Sequence, residues 1–434
     1  MLKKDNTRTI WSWALYDFAN SAFTTLVVTF VYGTYFISSI APSEIEGTQW
    51  WSWAISLTAV IVAISSPFLG AIADNFGFRK RIMIISTLFC VITTALLFFP
   101  TEGQVIYALL VFVIANISFE IGTVFCNAYL PQIASEDRIG KTSGLAWGLG
   151  YLGGLLALAL SLVLLVQTDA PIFGFSVDDG ENIRATNLLV ALWFFIFSVP
   201  LLFGVKEVKR RKGIDLKTIV TQAYGQLKQT FLEVKEHKTI YSFLISRLFY
   251  NDALVTVFAF GGIYASTTVG FSFEEIMILG IVLNVLAGLG AFIFGYFDDI
   301  NGSKKVVKWS IKFLMLACVI AILSPELPGL MELIFGGEAI PDWFNSKFLF
   351  WVAAVFIGIF SGPNQSSSRA LMSRITPEKN RNEFFGFYAF SGKATAFIGP
   401  LLFGFATSLF NTQQAGLVIV ILLFTCGYLF LKKV

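Results

Sequence analysis

The chain has 434 residues, of which 56% are hydrophobic and only 14% charged, and its mean hydropathy is +0.73. A soluble domain carries about one quarter charged residues, so this composition excludes an ordinary soluble protein and points to a membrane. One histidine, His237, and four cysteines, Cys90, Cys126, Cys318 and Cys426, all within apolar blocks, exclude a Cys/His metal centre and read as small buried hydrophobes.

The apolar blocks run ~20 residues or more, enough to cross ~30 Å of hydrocarbon. Only helices fit, because each span must satisfy its own backbone hydrogen bonds in lipid. Twelve spans are expected, at 12–38, 50–73, 82–99, 105–129, 142–166, 187–204, 240–266, 274–297, 306–324, 348–370, 384–409 and 413–431. The first is too long for a signal peptide and lacks a small-residue cleavage site, so it is expected to remain.

Span one carries Asp17, which shares a helical face with Asn20, Ser21 and Thr24 and follows Tyr16. A charge inside a spanning helix costs roughly 2.5–3.5 kcal/mol, so it needs a partner or a wet cavity. Span two ends in GAIADNFGFRK, containing Gly70, Asp74, Gly77, Arg79 and Lys80. Span four places Glu120 on a face with Asn116, Thr123 and Asn127. Between spans four and five, SEDRIGKT lacks the first glycine of a phosphate loop. Gly148, Gly150 and Gly153 spell GxGxxG inside span five, with no strand before them, and read as helix packing.

Residues 205–239 open on KEVKRRKG and continue with Leu216, Ile219, Val220, Ala223, Leu227, Phe231 and Val234 near helical spacing. This predicts a basic amphipathic helix on the membrane surface, in contact with lipid headgroups. Span seven holds Arg247, Tyr250, Asn251 and Asp252, and its Tyr-Asn-Asp echoes Tyr16-Asp17. Span eight ends in GYFDDINGSKK, with Gly295, Asp299, Gly302, Lys304 and Lys305. Span ten carries a stripe of Ser361, Gln365, Ser368 and Arg369 beside Asn364, and span eleven carries Lys393.

Lysine and arginine set the orientation. With the N-terminus inside, the cytoplasmic side collects Lys3, Lys4, Arg8, Arg79, Lys80, Arg81, Arg138, Lys141, the 205–239 cluster, Lys304, Lys305, Lys308, Lys312, the 369–381 group, Lys432 and Lys433. The outside keeps only Arg184 and Lys347, among Glu44, Glu46, Asp178, Asp179, Glu181, Glu274 and Glu275. Both termini are therefore expected in the cytoplasm.

The loops after spans two and eight match at five positions, all displaced by one common interval. Ala128, Ile133, Glu136 and Gly144 recur as Ala370, Ile375, Glu378 and Gly386 at a longer interval. The chain is thus expected to be two similar halves, 1–204 and 240–434, joined by 205–239, with an insertion at 325–346. Such repeats mark secondary transporters.

The paired G-x3-D-x2-G-x-[RK]-[RK] loops, together with twelve spans and a basic central loop, resemble the major facilitator superfamily over the whole chain. A narrower likeness lies in YDFANSAF, NAYLPQIASEDRIGKTSGLAWGLGYLGG and SRALMSRITPEKNRNEFFGFYAFSGKATAFIGPLLFG. These are similar to the "unknown major facilitator" branch and the fungal autophagy-related vacuolar amino-acid effluxers. The resemblance implies an all-α membrane protein of two pseudo-symmetric six-helix bundles. It also implies that spans one, four, seven and ten line a central cavity, and that the substrate is a small organic solute, with amino acids in view.

In that frame the signature loops read as gate latches, Asp74 facing the start of span eleven and Asp299 the start of span five, where a carboxylate gains roughly 0.3–1 kcal/mol. Tyr16, Asp17, Asn20, Asn116, Glu120, Arg247, Tyr250, Asn251, Asp252, Asn364, Gln365 and Lys393 become the expected substrate and proton cavity. Asp17, Glu120 and Asp252 face two cations, Arg247 and Lys393. One acid is left over as a proton carrier; Asp17 or Glu120 is favoured, since Asp252 has Arg247 in its own helix. An inner-membrane monomer using alternating access is expected, without cofactor, metal or nucleic acid. A lipid or drug exporter on the same fold and a non-transporting receptor or scaffold are the alternatives. An enzyme lacks any recognisable nucleophile set.

Overall fold

A computed structural model describes residues 4–168, 170–205, 221, 222, 224, 225, 229, 237–335, 341, 343–393 and 395–434. The surface helix expected over 205–239 falls almost wholly outside the described residues. Among the described residues every regular element is helical, and ten helices are long and apolar enough to cross a membrane. Their outward faces carry large apolar side chains such as Ile64, Ile106, Phe203, Ile300 and Phe405, the inverse of a soluble bundle.

Contacts divide the chain into two units. The first, Met1–Glu233 with Thr376–Phe390, holds α1 (Thr7–Ile40), α2 (Glu44–Phe76), α3 (Arg79–Leu96), α4 (Val105–Asn127), α5 (Ile139–Ser161) and α6 (Glu181–Gly204). The second, Val234–Ile375 with Ser391–Val434, holds α7 (Lys238–Thr267), α8 (Phe273–Asn301), α9 (Ser303–Leu323) and α10 (Ser346–Ile375). Helix α11 (Arg381–Lys393) belongs to the first unit up to Phe390, and its last turn belongs to the second, with α12 (Ile398–Phe410) and α13 (Gln413–Lys432).

Two expected spans are not among the ten. Helix α3 begins Arg79-Lys80-Arg81, which lowers its hydropathy, and span eleven is interrupted after Lys393, giving two helices of 13 residues each. The 325–346 insertion contains a nine-residue helix, Leu327–Phe335.

In the first unit, α1 is held closely by α5 and α6. A methyl group on Gly150 would lie 2.9 Å from Ser21 Oγ, and one on Gly153 would strike the Phe18 carbonyl. The GxGxxG stretch is therefore a helix-packing seam. On the other side, Phe18 stacks on Trp193 at 5.0 Å, and Trp193 Nε1 donates to the Phe18 carbonyl at 3.2 Å. Ser21, Thr24 and Thr29 return hydrogen bonds to the carbonyls of Asp17, Ser21 and Thr24, and α1 widens into a π-helix over Phe23–Phe30. Such back-bonding loosens the α-helical ladder, and π turns concentrate at functional sites.

In the second unit, Phe360 of α10 meets Phe294 of α8 at 5.3 Å and Phe313 of α9 at 4.3 Å. Helix α8 opens with a capping box in which Ser272 and Glu275 satisfy each other's backbone N–H. Lys347, at the start of α10, donates to both oxygens of Glu275.

Candidate transport site and gate

The first signature loop closes on helix α11. Helix α2 ends at Gly77, whose φ of +73° is the left-handed conformation that glycine adopts without a Cβ penalty. One turn earlier, Asp74 Oδ2 accepts the backbone N–H of Glu383 at 2.9 Å, and Oδ1 accepts Asn382 Nδ2 at 2.5 Å. Both donors lie in the first turn of α11, where the helix dipole favours an anion. Arg79 Nη2 stands 3.9 Å from Asp74 Oδ1, and its guanidinium lies over the Tyr129 ring. Lys80 Nζ donates to the Val205 carbonyl. Gly70 serves close approach: a methyl group there would lie 2.6 Å from the Asn382 carbonyl oxygen. Gly386 meets the backbone of Pro67 in the same way.

The second signature loop has a partner that the sequence did not point to. Arg374, in the last turn of α10, bridges Asp298 and Asp299, with Nη2 2.8 Å from Asp299 Oδ1. Ser303 Oγ donates to Asp298 at 2.8 Å. Gly302 turns the chain at φ +85°, Gly295 is buried in α8, Lys304 reaches the Lys432 carbonyl, and Lys305 is exposed. A cation at the C-terminal end of α10 also suits that helix's dipole.

The buried polar groups fall into two sets. In the first unit, Asp17, Asn20 and Asn116 are buried and Glu120 is half-buried, and Asp17 and Glu120 both have interaction partners. Tyr16 is fully buried in the bundle, its hydroxyl 2.9 Å from Thr87 Oγ1 on α3.

In the second unit, the interruption of span eleven gathers the polar face of α7. Arg247 Nη1 donates to Ser391 Oγ at 3.1 Å, and Asn251 Nδ2 donates to the Gly392 carbonyl at 2.9 Å. A methyl group on Gly392 would strike the Arg247 guanidinium. Asp252 is 1% exposed, with Thr395 beside its carboxyl group. Asp252 makes no ion pair among the described residues, and its Oδ1 and the Thr395 hydroxyl have no hydrogen-bond partner there. Nearby in the chain's second half, Tyr250 and Ser368 share a hydrogen bond of 2.7 Å, Asn364 Nδ2 is buried without a partner among the described residues, and Gln365 is half-buried. The side chain of Lys393 lies outside the described residues.

The sequence reading thus missed Ser391, Gly392 and Thr395, although SGKAT sits conspicuously in an apolar run, and it missed Arg374 as an ion-pair partner.

The family described as "Vacuole effluxer Atg22 like" matches residues 39–434. The chain belongs to this family. A protein of Bacillus subtilis (strain 168) named "Uncharacterized MFS-type transporter YxiO" is 27% identical over 98% of this chain and 94% of its own length. Autophagy-related protein 22 of Kluyveromyces lactis is 21% identical over 82% of this chain and 73% of its own. The crystal structure of the human organic anion transporter MFSD10 superimposes with a TM-score of 0.74, covering 99% of this chain and 100% of that one at 12% identity. The fold is that of the major facilitator superfamily, and the chain is a multi-pass membrane transporter, not an enzyme.

Proposed function

We propose that this protein is a secondary transporter of amino acids, coupled to protons, working by rocker-switch alternating access. In this reading it is a monomer of the cell membrane with twelve spans, six in each of the bundles 1–204 and 240–434, and with both termini in the cytoplasm. Residues 205–239 form the cytoplasmic linker. The Asp74 latch holds the cytoplasmic mouth shut, and Asp17, Asn20, Asn116 and Glu120 line the path from the first bundle.

One observation carries the coupling: Asp252, on α7 beside the interrupted helix, is buried with one carboxyl oxygen lacking a donor among the described residues. A carboxylate in that setting needs a proton or an ammonium group delivered to it. Discontinuous helices supply ligand and ion sites in many transporter folds. We therefore propose Asp252 as the proton carrier in place of Asp17 or Glu120, both of which have interaction partners. Arg247 is turned toward Ser391 and does not form an ion pair with it.

The test is uptake of radiolabelled L-amino acids into proteoliposomes, with and without an imposed pH gradient. Wild type should accumulate substrate only with the gradient. Asp252→Asn should lose accumulation by at least roughly tenfold, the size of one lost charge-assisted interaction, and keep counterflow exchange. Full accumulation by Asp252→Asn would remove it as the carrier, and no uptake of any amino acid by wild type would remove the substrate class.

A further inference from the structure

At the opposite end of the first unit from the latch, a cavity of about 700 Å³ opens between the end of α1, the turn before α4 and the segment leading into α6. Its walls include Tyr35, Glu102, Asp178, Asp179, Gly180 and Arg184. Arg184 is 9% exposed. Its Nη1 donates to the Tyr35 hydroxyl and to the Asp179 carbonyl, each at 3.0 Å, and its Nε has no partner among the described residues.

Two other buried guanidinium groups and one half-buried one have carboxylates: Arg79 has Asp74, Arg381 has Glu378, and Arg374 has Asp298 and Asp299. Arg184 has only neutral acceptors among the described residues. The carboxylates of Glu102, Asp178 and Asp179 line the same cavity, yet none of them pairs with Arg184 or with any other described cation. A buried charge without a counter-charge is costly, so the cavity holds unused positive charge at its wall and unused negative charge around it.

The position is fixed by local structure. Gly180 adopts φ +63° and packs against the Tyr35 ring, where a methyl group would lie 2.8 Å from a ring carbon. This turn starts α6 one turn ahead of Arg184 and brings its guanidinium to the Tyr35 hydroxyl.

We propose that this cavity is a second, outer binding site for the zwitterionic group of an α-amino acid. The α-carboxylate pairs with the Arg184 guanidinium at the cavity wall, and the α-ammonium is held by Asp178, Asp179 and Glu102. A guanidinium forms strong charge-assisted hydrogen bonds with a carboxylate. The cavity volume is in the range of small-molecule sites. The proposal rests on the reading of the protein as an amino-acid carrier with this end outside. The site loads substrate ahead of the central path.

The test uses the full-length protein in nanodiscs and equilibrium binding of radiolabelled L-amino acids. For the tightest binder, the deaminated acid and the decarboxylated amine are measured beside it. Wild type should bind two equivalents, and Arg184→Gln one, with the outer affinity reduced by roughly 10- to 100-fold. The exposed triple variant Glu102→Gln, Asp178→Asn, Asp179→Asn should lose the amino acid from the outer site while keeping the deaminated acid. This arm stands even where Arg184→Gln fails to fold, since its three side chains are on the surface. An Arg184→Gln or triple variant with wild-type stoichiometry and affinity overturns the outer site and leaves the carrier reading intact. Wild type that binds no amino acid at all overturns both.

Discussion

Two glycines set how closely α11 approaches α2. A methyl group on Gly70 would lie 2.7 Å from Glu383 Cα, and one on Gly386 would lie 2.6 Å from Pro67 Cα. Both obstacles are backbone, so neither can swing aside as a side-chain tip would. Gly70→Ala therefore has to push the start of α11 away from Asp74, at an overpacking cost of about 1–3 kcal/mol. The variant should fold, transport more slowly, and expose a cysteine substituted for Phe385, which is 1% exposed. Labelling of Phe385→Cys by a maleimide, with and without Gly70→Ala, measures this; equal labelling and equal transport would leave the close approach without a role. Asp74→Asn is the milder version, since it removes the charge but keeps an acceptor for the Glu383 N–H. It should slow transport less than Gly70→Ala does. Asp74, Gly70 and Gly77 stood out in the sequence because their loop recurs in the chain and resembles a family signature, and Asp74 lies against the first turn of α11. Arg374 was not legible, because α10 and α8 are distant in sequence and only packing reveals which cation reaches Asp298 and Asp299.

The least legible element is the interruption of span eleven. Its apolar residues run on both sides of Ser391-Gly392-Lys393, and hydropathy reads the whole as one helix. An interrupted helix leaves carbonyls without helical partners, and here Asn251 takes the one at Gly392. Asn251→Ala should leave that carbonyl unsatisfied at a cost of about 1–3 kcal/mol, visible as a fall of several degrees in the melting temperature of the purified protein. An unchanged melting temperature would mean that the interruption is held by other contacts. A second element, the start of α8, predicts a pH dependence. The hydrogen bond from Lys347, then that from the Ser272 N–H, hold the Glu275 carboxyl below its usual range. A lowered folded-state pKa stabilises the fold above the ordinary glutamate value of about 4.3, and this contribution is lost as pH falls through the lowered value. Thermal melts of wild type and Glu275→Gln should therefore differ at pH 6 and converge toward pH 3; a constant difference would deny the carboxylate's part.

At the scale of the whole molecule, composition was enough to place the chain in a membrane, because apolar blocks of ~20 residues match the length of helices that cross hydrocarbon. The repeat of the signature loop was enough to suggest two halves. The interruption of span eleven between α11 and α12 and the basic start of α3 leave ten long apolar helices among the described residues, since hydropathy counts charge and length but not how a helix is stapled to its neighbours. Orientation depends on the charge asymmetry, and it gives the most direct test. Val177 is exposed in the segment before α6, where the flanking charges are acidic; position 213 lies in the basic stretch after it. Val177→Cys should react with a membrane-impermeant maleimide added to intact cells, and Gly213→Cys only after the cells are opened. The native cysteines interfere little, because Cys90, Cys126 and Cys318 are buried and Cys426 is half-buried. Reaction of Gly213→Cys from outside, with Val177→Cys silent, would invert the protein in the membrane. The Asp74 latch would then lie on the outer face and the Arg184 cavity would open to the cytoplasm.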